Sequence, residues 1–142
     1  MGLFGDTKEM YEIYAALFDL LGRDSQIGLR LANAGVVIQF RLSDPDGIMT
    51  LNMRDKPMRS GMYVDYILGE CDIEPDVVFE TSSDLSNRFL QGKVNIIQAL
   101  IKHQIRVKGR MGKVLILMQL IKPVFEIYPR LLREKGWDHL LV

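Results

Sequence analysis

The sequence predicts an α+β domain. Two stretches alternate apolar and polar residues with a period of two, a long opening segment repeats its apolar residues at three and four, and turn chemistry separates them. Residues 1–142, 48% hydrophobic, suit one domain able to bury roughly two thirds of its unfolded surface. No internal repeat or low-complexity linker divides them.

The elements follow in order. Asp6 or Thr7 caps a first helix whose apolar face is Met10, Ile13, Tyr14, Leu17, Leu20 and Leu21, with Gly22 as its stop. A shorter helix covers Asp24 to Asn33. Beyond Gly35 the period changes to two: Val36, Ile38, Phe40 and Leu42 alternate with Val37, Gln39, Arg41 and Ser43. SDPDG, Ser43 to Gly47, supplies a turn with Gly47 free to take positive φ, and Met49, Leu51 and Met53 open a second strand. DKPMRSG turns the chain again, and Met62, Val64, Tyr66 and Leu68 form one face of a third, completing an antiparallel meander. An acidic connector, Gly69 to Asp76, leads to the strand PDVVFET. Helical patterns cover Asp84 to Leu90 and Asn95 to His103, and a fifth strand covers Ile105 to Gly109.

The segment that follows raises a physical question. GKVLILMQLIKP, Gly112 to Pro123, holds seven apolar residues among the eight positions from Val114 to Ile121, broken only by Gln119. A membrane span needs about 20 such residues, so this is no span. A helix apolar all round is normally buried on every side, and a second surface must therefore meet it. Pro123 interrupts the helix, and a last one runs from Val124 to Arg133 and ends near Gly136.

Charge is divided unevenly. Residues 102–142 carry nine Lys/Arg and three Asp/Glu, against nine and fifteen in residues 1–101, an asymmetry that steers anions or a membrane surface toward one end unless it is merely two solvated faces. Cys71 is the sole cysteine, which excludes an internal disulfide and fits a reducing compartment. The start MGLFGDTKEM shows no secretory pattern, Asp6 stands where myristoylation needs Ser or Thr, and the end HLLV is not a peroxisomal signal. The expected localisation is cytoplasmic.

Catalytic and nucleic-acid chemistry find no foothold. His103 and His139, the only histidines, lack metal spacing. Cys71 lies in GECDIEPD, whose acidic neighbours argue against a nucleophile, and Asp72, Glu74 and Asp76 lack the Gly and closing Glu of a calcium loop. The G-x-x-G of GRMG follows a strand rather than joining two helices, and the chain has no net positive charge, so nucleic acid is excluded. GRMGKV is no P-loop. No enzyme activity, metal or cofactor is expected.

The run PDVVFETSSDLSNRFLQGKVNIIQALIKHQIRVKGRMGKVLILMQL, Pro75 to Leu120, resembles the sterol carrier protein type-two domain. The matching pieces are Pro75-Asp76, Phe79, Phe89, Gly92-Lys93, Asn95, Ala99 and Ile105 to Gly109; Ile96, His103-Gln104 and Arg110 depart from the family pattern. The resemblance implies a five-stranded mixed, largely antiparallel sheet with helices on one face enclosing an apolar tunnel, its mouth covered by C-terminal helices. It implies an apolar lipid, whether sterol-like, fatty acyl or isoprenoid, as the partner that meets the apolar helix.

On that reading Phe40, Leu51, Met53, Phe79, Leu90, Ile97, Ile101, Val114, Leu115, Met118, Ile121 and Phe125 meet the lipid, unless they are ordinary core. Met49, Met53, Met62 and Met118 would adapt the pocket to several shapes. Arg106, Lys108, Arg110 and Lys113 meet a head group or a membrane surface, or else simply blunt an edge strand. Three functions follow: a non-enzymatic lipid carrier that contacts membranes transiently, an accessory subunit presenting lipid or quinone intermediates to biosynthetic enzymes, or a ligand-free structural or dimerisation module.

Overall fold

In the computed structural model, residues 3–142 are described; the reading of the first two residues for targeting signals lies outside them. Helix α1 (Thr7–Arg23) starts where Asp6 accepts a hydrogen bond from the Glu9 amide at 2.8 Å, an N-cap that satisfies one of the orphan donors of the first turn. Gly22 does not stop it. The glycine instead lets Val64 pass beneath, since a Cβ there would lie 3.0 Å from the Val64 carbonyl oxygen. The break comes at Asp24, whose carboxylate accepts from the amides of Gln26 and Ile27 and so opens α2 (Ile27–Ala34).

Five strands follow in the spatial order β3-β2-β1-β4-β5. β1 (Val37–Ser43), β2 (Gly47–Asn52) and β3 (Asp65–Leu68) form the antiparallel meander, with Phe40 opposite Met49 and Leu51 opposite Tyr66. β4 (Val77–Ser82) lies parallel to β1, with Phe79 beside Phe40, and β5 (Ile105–Gly109) closes the far edge antiparallel to β4. The sheet is thus mixed and largely antiparallel.

Two details differ from expectation. Gly47 does not take positive φ; a Cβ there would run into the Met10 methyl group, so the glycine admits α1 onto the hairpin. β3 is shorter than its alternating pattern. Met62 and Val64 are buried as the pattern requires, but the Tyr63 amide donates to the Gly22 carbonyl of α1 at 2.7 Å rather than to the ladder. The Asn52 side chain likewise ends β2 by accepting from the amides of Arg54 and Asp55.

Helices α3 (Ser83–Leu90), α4 (Ile96–Ile101), α5 (Met111–Leu120) and α6 (Val124–Glu134) complete the chain with a short 3-10 helix at Asp138–Leu140 that no sequence signal announced. Ser82 caps α3 and Asn95 caps α4 through their side-chain oxygens. Ile38, Phe40, Leu51, Met53 and Phe79 face the helices and build one core with Ile13, Tyr14, Leu17, Tyr128 and Leu132. On the opposite face Gln39 and Thr50 are buried and hydrogen-bonded to each other at 3.0 Å, with the connector's Cys71 thiol on Thr50 at 3.5 Å.

Candidate functional site: an apolar cavity beneath helix α5

Alternation along β1, β2 and β4 turns every second side chain toward the helices. Phe40, Leu51, Met53 and Phe79 thereby share one side of a cavity with Ile38. α1 and α2 contribute Leu17, Phe18, Leu21 and Leu31, α3 contributes Phe89 and Leu90, and Leu117, Met118, Leu120, Ile121 and Val124 close it from the C-terminal side. Every lining side chain is apolar. The cavity is partly open and its volume is about 60 Å³, well below the roughly 300–1,000 Å³ of ordinary small-molecule pockets. In place of a tunnel the structure thus holds a small void, and a lipid-sized guest requires one wall to move.

The floor is rigid. Phe18, Phe40, Phe79 and Phe89 form a ladder of near-parallel rings whose successive centroids are 6.2, 6.0 and 6.1 Å apart, within the range where aromatic pairs attract beyond their area burial. Phe125 meets the last ring edge-on at 6.0 Å but does not line the void. Its ring stacks over Gly92, where an added Cβ would sit 3.1 Å away.

The roof is α5. Leu117 is its only buried residue, and Met118 and Leu120 reach the void beside it. Val114 is half-buried against the core without lining the void. Leu115 does not face the cavity: it is 59% exposed, because two positions before Leu117 lies on another side of the helix. Of α6 only Val124 reaches the cavity; the rest of the helix is not the cover expected of the C-terminal segment. It places Tyr128 and Leu132 fully inside the core, and the buried Asn87 donates to the Leu140 carbonyl at 2.8 Å while accepting from the Tyr128 hydroxyl at 2.7 Å. Burial raises the pKa of the Tyr14 and Tyr128 phenols, so both stay neutral.

Ile97 and Ile101 also lie away from the cavity, each 70% exposed. α4 spans barely two turns and buries only Ala99; Ile96 packs partly against the core, while Ile97, Leu100 and Ile101 face outward. The sequence offers no signal for this, since short apolar helices read alike whichever side is covered.

The basic residues separate by strand geometry. Ile105 is buried and Val107 packs on the core, so Arg106 and Lys108 point to the sheet face opposite the cavity, where Lys108 pairs with Glu80 at 2.8 Å. Arg110 is exposed at the entrance to α5. Lys113 reaches back to Asp76, 3.4 Å from Oδ1, while Asp76 Oδ2 accepts from the Val37 amide at 2.9 Å. The Val37 N–H, and after it the Lys113 ammonium, hold the Asp76 carboxyl below its usual range. Asp76 therefore ties the start of β1 to the roof helix, a role that the acidic run GECDIEPD did not reveal. Gly109, at φ 138°, makes the passage from β5 into α5, and a Cβ there would collide with the Asp76 carbonyl oxygen.

Among the described residues no helix is long and apolar enough to cross a membrane, and no cluster of metal-ligating side chains is found. No curated protein matches the chain in sequence. Solved structures share its fold. The sterol carrier protein domain 2 of Helicoverpa armigera superposes over 78% of this chain and 87% of its own with a TM-score of 0.60 at 19% identity. UbiJ-SCP2, a ubiquinone synthesis protein, does so over 78% and 88% with a TM-score of 0.55 at 16% identity. The sec-alkylsulfatase Pisa1 from Pseudomonas sp. aligns with 74% of the chain, with a TM-score of 0.54 at 15% identity, but the chain spans only 15% of that enzyme's length. In sequence, the model of the SCP-2 sterol transfer family matches residues 17–122, from within α1 to just beyond α5. These bounds take in the whole sheet, the aromatic floor and the roof helix, and the chain belongs to the SCP-2 sterol transfer family.

Proposed function

We propose that this chain binds and carries an apolar lipid, without catalysing a reaction, in the space between the phenylalanine ladder and α5. The observation that carries the reading is a void lined only by apolar side chains beneath a helix whose residues from Val114 to Leu120 are apolar except Gln119. Lifting such a helix exchanges one apolar contact for another, so a guest replaces the lost packing. An acyl chain of about fourteen methylenes offers on the order of 11 kcal/mol of burial at roughly 0.8 kcal/mol each. Association and ordering costs of several kcal/mol reduce that sum. No polar side chain lines the void, so recognition falls on the hydrocarbon and the head group stays outside. An extended chain, acyl or isoprenoid, fits this better than a ligand with a buried hydroxyl, which would lack a partner.

A second reading, presentation of an isoprenoid or quinone intermediate to biosynthetic enzymes, gains support from the likeness to UbiJ-SCP2 and from the exposed Ile97 and Ile101 of α4, which suit a protein contact. Native mass spectrometry of protein purified without detergent, followed by organic extraction, tests both. A stoichiometric lipid adduct is expected, and a quinone-like adduct together with recovery of biosynthetic enzymes in a pull-down selects the second reading. A clean apo mass with no uptake of added fatty acid, acyl-coenzyme A, sterol or quinone would overturn both and leave a structural module.

A further inference from the structure

The outer side of α5 has no cover in the fold. Met111, Gly112, Leu115, Ile116 and Gln119 are all exposed. At about 100° per residue they occupy one continuous arc of about 140°, with no charged residue in it. Met111 is 69% and Ile116 45% exposed, which is costly apolar surface to leave in water. The sequence about this helix is cationic: from Gln91 to Phe125 there are seven Lys/Arg and no Asp/Glu, of which Lys108 and Lys113 are paired with Glu80 and Asp76. Arg110 and Lys122 flank α5, both exposed and, among the described residues, without an acidic partner.

We infer that the outer face of α5 is a docking surface for an anionic lipid bilayer. An uncharged apolar stripe framed by Lys and Arg is the pattern of helices that lie in a membrane interface, and each basic residue near an anionic leaflet contributes about 1 kcal/mol. A second copy of the chain is a poor occupant, because two such segments would bring like charges together. The inference deepens the carrier reading and rests on it for what docking achieves: the docked surface is the back of the cavity roof. Sinking Leu115 and Ile116 into the interface draws Leu117 and Met118 away from the phenylalanine floor, so the cavity opens where its cargo enters or leaves.

The experiment is co-sedimentation with vesicles of phosphatidylcholine alone and of phosphatidylcholine mixed with phosphatidylglycerol. Binding is expected on the mixed vesicles only and should weaken with salt. Leu115→Asp and Ile116→Asp should each abolish it, and Arg110→Gln and Lys122→Gln should each weaken it about fivefold, the equivalent of about 1 kcal/mol. Leu20→Asp, at a comparably exposed position on α1, should leave it unchanged. Absence of binding, equal binding to both vesicle types, or binding that Leu115→Asp leaves intact would overturn the docking surface and turn attention to an acidic protein as its occupant. Native mass spectra of the same preparations read cargo separately. Lipid retention without docking refutes this surface alone, whereas docking without retention refutes the carrier reading.

Discussion

Asp76 joins three elements, and replacing it separates their contributions. In Asp76→Ala the Val37 amide loses a charged acceptor at 2.9 Å and Lys113 loses its partner at 3.4 Å. A hydrogen bond to a charged group contributes about 1.5–3 kcal/mol. The ion pair, with side chains 32% and 23% exposed, adds at most about 1 kcal/mol. Asp76→Ala should therefore cost roughly 2–3 kcal/mol in urea unfolding at neutral pH, and Lys113→Met under about 1 kcal/mol, on the same principles. Asp76→Asn keeps an acceptor for Val37 and should fall between them. The sign with pH follows from the depressed carboxyl. A lowered folded-state pKa stabilises above the unfolded value, near 3.9, and the gain disappears as pH falls through the folded value. The difference between wild type and Asp76→Ala should accordingly be flat at neutral pH and shrink below about pH 4. Lys113→Met should also speed lipid release, about fivefold at most for 1 kcal/mol. If Lys113→Met costs as much stability as Asp76→Ala, or if Asp76→Ala costs under about 0.5 kcal/mol, the reasoning about this tie is wrong.

Other outcomes follow from the same geometry. Leu90→Trp places an indole in a void of about 60 Å³; it should cost about 1–3 kcal/mol of stability and suppress uptake of a fluorescent fatty acid, and undiminished uptake would move the lipid elsewhere. Tyr128→Phe strips the donor from the buried Asn87 and should lower the urea midpoint by the equivalent of about 1–3 kcal/mol. Gly109→Ala combines a positive φ with a collision against the Asp76 carbonyl; a loss of about 1–3 kcal/mol is expected, and a neutral result would show that β5 relaxes at its end.

The hairpin and the first helix cap were legible because their signals are local. Period two in Val36 to Leu42 and Asp6 before the first apolar helix each act within a few residues. Gly22 and Gly47 were misread because their reason is distant: each yields space to a segment that lies far along the chain. The cavity was legible in part. Phe40, Leu51, Met53 and Phe79 follow from alternation, and Leu90, Met118 and Ile121 from their place in the recognised motif. Leu17, Phe18 and Leu21 line it too, yet a helical stripe looks the same whether it faces side chains or a void. Leu115, Ile97 and Ile101 show the converse, because apolar identity alone does not say which side of a short helix is covered.

The two sides of β1 carry different consequences for how the chain folds. Toward β2 and β3 the strands are joined in sequence order by a tight turn at 44–46 and a longer connection at 53–64, and need less loop closure. Toward β4 the pairing is parallel, between a strand ending at Ser43 and one beginning at Val77, and long-range pairing of this kind is slow because the intervening chain must be ordered before contacts compensate. The meander should form first and accept β4 afterwards. Until it does, one edge of β1 and the aromatic side chains beside it are open, which makes this interval the one in which the chain is most exposed to aggregation.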